Sequence, residues 1–287
     1  MRLFRRRTGS APWLAMLTWV YILWSLLPVL IAVRISFNSG KSRSAFQSLS
    51  MRWYWGDATS SVWHDDSLHT ALRNTLVLAA LCMLIATPLG VAMAIGLQRW
   101  RGRLSNAANG LMLVPIVTPE LVFGVALFLV FSQVYVGVPE GITRQLLGHI
   151  TFTMSFVVVI VRGRLAAIGG QYEEAARDLG ATRWQAIRLV LLPLLSPAIF
   201  ASVMVVFATS VDDFVISSFL STGASTETVP IKIYSGARAG STPALNALAT
   251  VMLCFTLAAV SIAALVMKRM NRNGGDTSSA GIASLSI

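Results

Sequence analysis

The chain has 287 residues, of which 12% are charged and 55% are of hydrophobic types, and its mean hydropathy is +0.68. A composition this apolar excludes an ordinary soluble domain and reads as a set of transmembrane helices. The net charge of +11 would by itself point to nucleic acid, but the placement of the basic residues excludes that reading.

Six spans are predicted, about Pro12–Val33, Leu72–Leu97, Ala107–Phe131, Leu146–Val161, Pro197–Leu220 and Leu245–Met267. The leader before the first carries Arg2, Arg5, Arg6 and Arg7, like a secretory signal. The apolar run is too long for a signal core and no small-x-small site follows, so an uncleaved anchor is the better reading. The loop Arg34–Thr70 is the longest and contains Trp53, Tyr54, Trp55 and Trp63. Such residues belong either to the membrane interface or to a contact with an extracytoplasmic partner.

The second span opens on Arg73-Asn74-Thr75-Leu76, and Pro88 and Gly90 predict a bend in it. The third carries Pro115, Pro119 and Glu120. A glutamate facing lipid is costly, so Glu120 is expected at a pore or an aqueous mouth, as a hydrogen-bond anchor or beside a cation path. The fourth span is short and borrows from Arg162–Leu165, whose arginines can reach the headgroups. A re-entrant Leu146–Val161 would break the charge pattern.

That pattern places both termini on the cytoplasmic side. The inside segments 1–11, 98–106, 162–196 and 268–287 then hold 15 of the 23 basic residues, as the positive-inside rule requires. The final stretch, Asn271–Ile287, is rich in Gly, Ser and Asn and reads as a flexible tail. The domain reading is therefore a basic terminus 1–11, a six-helix domain 12–267 that includes a cytoplasmic segment 170–193, and a tail 268–287. Cys82 and Cys254 fall within spans and read as core residues. His64, His69 and His149 are scattered, and no metal is assigned. The chain lacks GxxxxGK[ST], so no ATP site is expected in it.

Glu174–Pro193 reads EAARDLGATRWQAIRLVLLP, a polar helical stretch in an apolar chain. Gly180 is expected to end a first helix and Thr182 to cap a second, with Pro193 and Pro197 marking the return into the fifth span. Glu174-Ala175-Ala176, then Gly180, then Val190-Leu191-Leu192-Pro193 resembles the EAA signature of bacterial ABC importer permeases, with Val190 in place of the usual isoleucine. The resemblance implies that Glu174, Ala175, Ala176 and Gly180 form a docking surface for a cytoplasmic ATPase. An amphipathic helix on the membrane surface is the bland alternative.

Asp212 and Asp213 lie side by side inside the fifth span, followed by Phe214. Two intramembrane carboxylates need cations, hydrogen bonds or water. Adjacent helical positions point about 100° apart, so one acid can attract a cation while the other braces the helix. Val114–Gly124, Val211–Phe214 and Asn246–Thr250 are similar to phrases of the spermidine/putrescine branch of these permeases. Ser221–Ala224 and Val229 depart from that branch. The resemblance implies an all-α, polytopic membrane protein with six transmembrane helices and the type I ABC importer permease fold, in the bacterial inner membrane. It implies two ATPase subunits that bind ATP and Mg, a second, distinct six-helix permease, an extracytoplasmic solute-binding protein, surrounding lipid, and a polyamine or another small organic cation as solute. Asp212, Asp213, Glu120 and Phe214 are the candidates for the path, and Phe214 and Phe219 suit ordinary helix packing equally well.

Overall fold

A computed structural model describes residues 12–42, 45–100, 102–240 and 242–283. The basic leader 1–11, Arg43, Ser44, Arg101, Ser241 and the last four residues lie outside these. The described elements are helical, with one isolated antiparallel bridge between Asn38 and Leu49. The chain divides into two compact units, Met1–Asp65 with Gly236–Val251, and Asp66–Ser235 with Met252–Ile287.

The first unit begins with α1 (Pro12–Ser36), whose large side chains, including Trp13, Trp19 and Trp24, are exposed all round. A helix apolar on every face is suited to lipid rather than water. The connection that follows is organised by Trp53, which is 2% exposed and donates its indole N–H to the Asn38 carbonyl at 2.5 Å. Asn38 in turn accepts from the Gln47 amide and donates to the Ala45 carbonyl. Trp53 is thus a loop-core residue rather than an interface or partner residue, whereas Trp55 and Trp63 stay exposed. A π-helical turn, Arg52–Gly56, carries Trp53 inward and leaves Arg52 paired with Asp57 at 2.7 Å.

The second unit is built on α2 (Asp66–Arg99), α6 (Ile142–Ile168) and α9 (Leu192–Asp212). Cys82, Ala86, Ala94, Val157, Val158, Val161, Leu195 and Val206 form their shared core. Helix α2 runs unbroken through Pro88. Gly90 serves close packing: a Cβ there would stand 2.6 Å from Cβ of Val157. Helix α6 spans 27 residues, so the predicted short fourth span is full length.

Among the described residues, five helices are long and apolar enough to cross a membrane: Trp13–Ser36, Asp66–Arg99, Ile142–Ile168, Arg183–Asp212 and Pro243–Arg269. The predicted third span is instead three pieces, α3 (Arg103–Leu111), α4 (Val114–Val117) and α5 (Glu120–Gln133). Pro119 explains the last break, because it drives Thr118 into an extended conformation and has no N–H to offer the preceding turn. The fifth run differs in the opposite sense. No break occurs at Pro193 or Pro197; helix continues from α8 (Arg183–Ala186) through a π turn (Ile187–Leu191) into α9. In that turn the Leu192 N–H reaches back to the Ile187 carbonyl, so the ladder changes register just before the proline that cannot donate. Beyond α10 (Val215–Leu220) and α11 (Val229–Gly240), α12 (Pro243–Ala283) continues as helix into the stretch read as a flexible tail.

Candidate functional site

The Asp212–Asp213 pair stands where α9 stops. Asp213 is extended, at φ −64° and ψ 117°, and α10 starts two residues later. The cause is visible in the Asp213 carboxylate, which accepts the Ser217 amide at 2.8 Å and the Ile216 amide at 3.4 Å. An aspartate that caps the next helix satisfies amides that would otherwise be orphaned inside the membrane. The same carboxylate lies 3.0 Å from Nε2 of His149, on α6. His149 also meets Ser217 Oγ through Nε2 and Ser210 Oγ through Nδ1, each at 2.9 Å. Asp213, His149, Ser210 and Ser217 are all buried. Thr153 donates to the His149 carbonyl and lies 3.3 Å from the Cys82 thiol, extending the polar chain towards α2.

Asp212 has the opposite environment. It is exposed and opens onto a cleft of about 450 Å³ lined by Glu120, Phe152, Ala208, Thr209, Asp213, Phe214 and Val215. Glu120 begins α5, so its charge also suits the positive end of that helix. Phe214 packs against Tyr234 with ring centroids 4.5 Å apart and planes tilted by 43°, and presents an aromatic wall. Phe219 is turned away into packing, where a Cβ on Gly124 would approach its ring within 2.8 Å. The structure therefore brings Glu120, Asp212, Asp213 and Phe214 to one cleft and separates the two aspartates by role: one is enclosed by donors and the other open.

Residues far apart in the sequence meet beside α2. The Asn74 amide donates to the carbonyls of Ser225 and Glu227, and Thr75 Oγ1 accepts the Val229 amide at 2.8 Å. Gln145 adds a bond to the Thr226 carbonyl, so the loop after α10 is fastened from both α2 and α6.

The Glu174–Pro193 stretch forms a second candidate surface. Helix α7 (Gln171–Asp178) ends in a Schellman closure: the Gly180 amide bonds the Arg177 carbonyl, and the Ala181 amide bonds the Ala176 carbonyl. Gly180 has φ +88°, which a residue with a Cβ adopts only at a cost. Thr182 and Gln185 then make a reciprocal capping box at the start of α8. Glu174, Ala175 and Gly180 are exposed and Ala176 is half-buried. Around them the chain leaves Leu179 at 90% and Trp184 at 66% exposure. An ion pair between Glu173 and Arg99 ties α7 to the end of α2.

His149 is the residue that sequence reasoning missed. A signal was present: Arg144, Gln145, Gly148, His149 and Thr153 recur at helical spacing and form a buried polar stripe on α6. Polar groups in such a helix require partners, so the stripe itself predicts an opposing polar element. Among the described residues, no group of three or more His, Cys, Asp or Glu side chains is placed to hold a metal ion.

The family described as "Binding-protein-dependent transport system inner membrane component" matches residues 86–272. The chain is 36% identical over 251 residues to the spermidine/putrescine transport system permease protein PotC of Escherichia coli K12, covering 87% of this chain and 92% of that protein. The putrescine transport system permease protein PotI of the same organism is 34% identical over 248 residues, or 85% and 86% of the two chains. The fold is shared with a chain of a bacterial ABC transporter that imports the acidic polysaccharide alginate, at TM-score 0.71 and 16% identity over 89% of this chain and 95% of that one. A chain of the MetNI methionine ABC transporter aligns at TM-score 0.56 and 19% identity, covering 70% of this chain and 93% of its own.

Proposed function

The chain belongs to the family of binding-protein-dependent inner-membrane transport components, and on that premise we propose that it lines half of an import path for spermidine or putrescine. It is the permease half of an ABC importer, a transport subunit that couples to an ATPase. The observation that carries the solute reading is the open Asp212 carboxylate sharing a cleft with Glu120 and Phe214. Two acids and an aromatic face suit a flexible chain with several ammonium groups. Relatives that carry polyamines by name support the same choice.

In this reading the broken run Arg103–Gln133 supplies the sixth crossing of a type I fold, and both termini face the cytoplasm. Glu174, Ala175, Ala176 and Gly180, flanked by exposed Leu179 and Trp184, dock on one of two ATPase subunits, which bind ATP and Mg. A second, distinct permease provides the other docking segment, and a solute-binding protein delivers the amine from outside. Within the cleft Asp212 attracts the cation and Asp213 braces the break.

Reconstitution with the ATPase, the second permease and the binding protein tests this. Asp212→Asn is expected to assemble normally and to lower amine uptake by about tenfold, equivalent to ~1.4 kcal/mol of lost attraction. Asp213→Ala leaves the Ser217 amide without its acceptor, at ~1–3 kcal/mol, and takes the carboxylate from His149, and is expected to lower the yield of assembled complex. Full amine uptake by an assembled Asp212→Asn complex would refute the acidic path. Binding of a different small cation by the solute-binding protein would redirect the choice of solute within the same transporter class.

A further inference from the structure

His149 joins both sides of the interruption between α9 and α10. Its Nδ1 meets Ser210, two residues before the end of α9, and its Nε2 meets Asp213 and Ser217 beyond that end. The ring itself is held on α6 and is 1% exposed. Nε2–H donates to the Asp213 carboxylate while Nδ1 shares a hydrogen bond with the Ser210 hydroxyl, so the imidazole is a rigid link with a polar contact at each edge.

We propose that His149 is the positioning residue of the cleft: by pinning the two sides of the break it sets where the Asp212 carboxylate stands, and hence which spacing of cationic centres the path accepts. The selectivity part rests on the reading of the cleft as a solute path. The geometry distinguishes this role from general support. Without His149, Asp213 still accepts the amides of Ile216 and Ser217, so α10 keeps its cap. What disappears is the link back through Ser210 to α9. The break then becomes a hinge, and Asp212, the last residue of α9, moves with that helix instead of being fixed against α10 and the neighbouring α5. Phenylalanine at 149 fills comparable space without either polar edge, whereas glutamine retains a donor and an acceptor on one planar group.

Labelling of a cysteine at position 212 reports this directly and needs no solute. The background carries Asp212→Cys and Cys254→Ser, because Cys254 is exposed and Cys82 is buried. In the complex assembled with its ATPase and second permease, His149→Phe is expected to change the rate of reaction with a small charged maleimide by about fivefold or more, the scale of a released local conformational restraint. His149→Gln is expected to keep the parental rate. A reporter at Leu49→Cys, in the separate outer connection, should be unaffected by either change. Parental labelling at 212 in His149→Phe overturns the proposal, as does an equal change at both reporters, which would indicate general loosening. If His149→Phe does not assemble, Ser210→Ala severs the α9 side alone and must reproduce the altered labelling; a parental rate there also overturns the proposal.

With Asp212 intact, the ratio of saturated uptake rates for spermidine and putrescine gives the transport readout. His149→Phe should alter that ratio and His149→Gln should restore it, while an equal fall for both amines overturns the selectivity role. A wild-type complex that imports neither amine refutes the solute reading, and the labelling comparison still decides whether His149 positions Asp212.

Discussion

Replacing Gly180 by valine should uncouple ATP hydrolysis from import while leaving membrane insertion intact. Gly180 sits at φ +88°, and a Cβ built there meets nothing within 4 Å. The cost of the substitution is therefore conformational rather than a clash. An L-residue held in the left-handed region loses ~1–2 kcal/mol, and a β-branched one lies at the upper end of that range. That energy changes the population of the closed turn by about 5- to 30-fold. The turn carries the Gly180 and Ala181 amide bonds that fix the direction of α7 relative to the capped start of α8. In the proposed docking role, a segment whose closed turn is less populated transmits less of the ATPase movement to Arg183–Asp212. The measurement is ATP consumed per solute imported by the reconstituted complex, with assembly checked by mass. Valine should raise that ratio by about fivefold or more, and asparagine, which tolerates the left-handed region, should stay within about twofold of the parent. Parental coupling in a fully assembled Gly180→Val complex would refute the argument. Equal defects in the valine and asparagine variants would assign the effect to the added side chain and not to the backbone.

The segment around Gly180 was legible because its signals are local. A glycine followed by threonine and, three residues on, glutamine specifies a stop and a cap within six positions, and the Schellman closure and capping box stand at those residues. Local signals also misled. Pro193 reads as a boundary, yet the π turn before it changes the hydrogen-bond register and lets helix pass through. At Pro119 no such adjustment is made, and the chain breaks. A proline announces a missing donor but not how the neighbouring turn compensates. The acid pair was legible as a costly feature whose members could differ in role, whereas which aspartate is enclosed and which is open was not. That division depends on His149 and Ser210, which only the packing of α6 against α9 brings to Asp213. Thr75 and Val229 are likewise joined across 154 residues by a hydrogen bond that has no mark in the sequence around either residue. Trp53 reads with its aromatic neighbours as a residue of the membrane interface or of a contact with an extracytoplasmic partner. The fold of its own loop, with Asn38 as hydrogen-bond hub, placed it inside.

Two further outcomes follow from these contacts. Asn74→Ala removes two bonds to the loop after α10, worth ~1–3 kcal/mol together, and hydrogen exchange across residues 222–229 should accelerate by about tenfold if that loop opens independently. Unchanged exchange would mean that Thr75 and Gln145 hold the loop without it. The connection Arg52–Ser60 should respond to acid in a direction set by Asp57. The Arg52 guanidinium, aided by the backbone N–H groups of Thr59 and Ser60, holds the Asp57 carboxyl well below the usual carboxylate range. A group whose folded value is depressed contributes its full stabilisation above its unfolded value, and loses it as pH falls towards the folded one. The unfolded value is 3.8, so exchange of the 57–60 amides, corrected for intrinsic rates, should be flat from neutral pH down to about 5 and rise only below about 4. Arg52→Gln removes the largest cause of the depression and should therefore shrink the acid-induced rise and end it at higher pH, with its onset still at about 4. An identical acid profile in the parent and Arg52→Gln would show that the turn does not depend on this pair, leaving Trp53 and its bond to Asn38 as the element that holds the connection together.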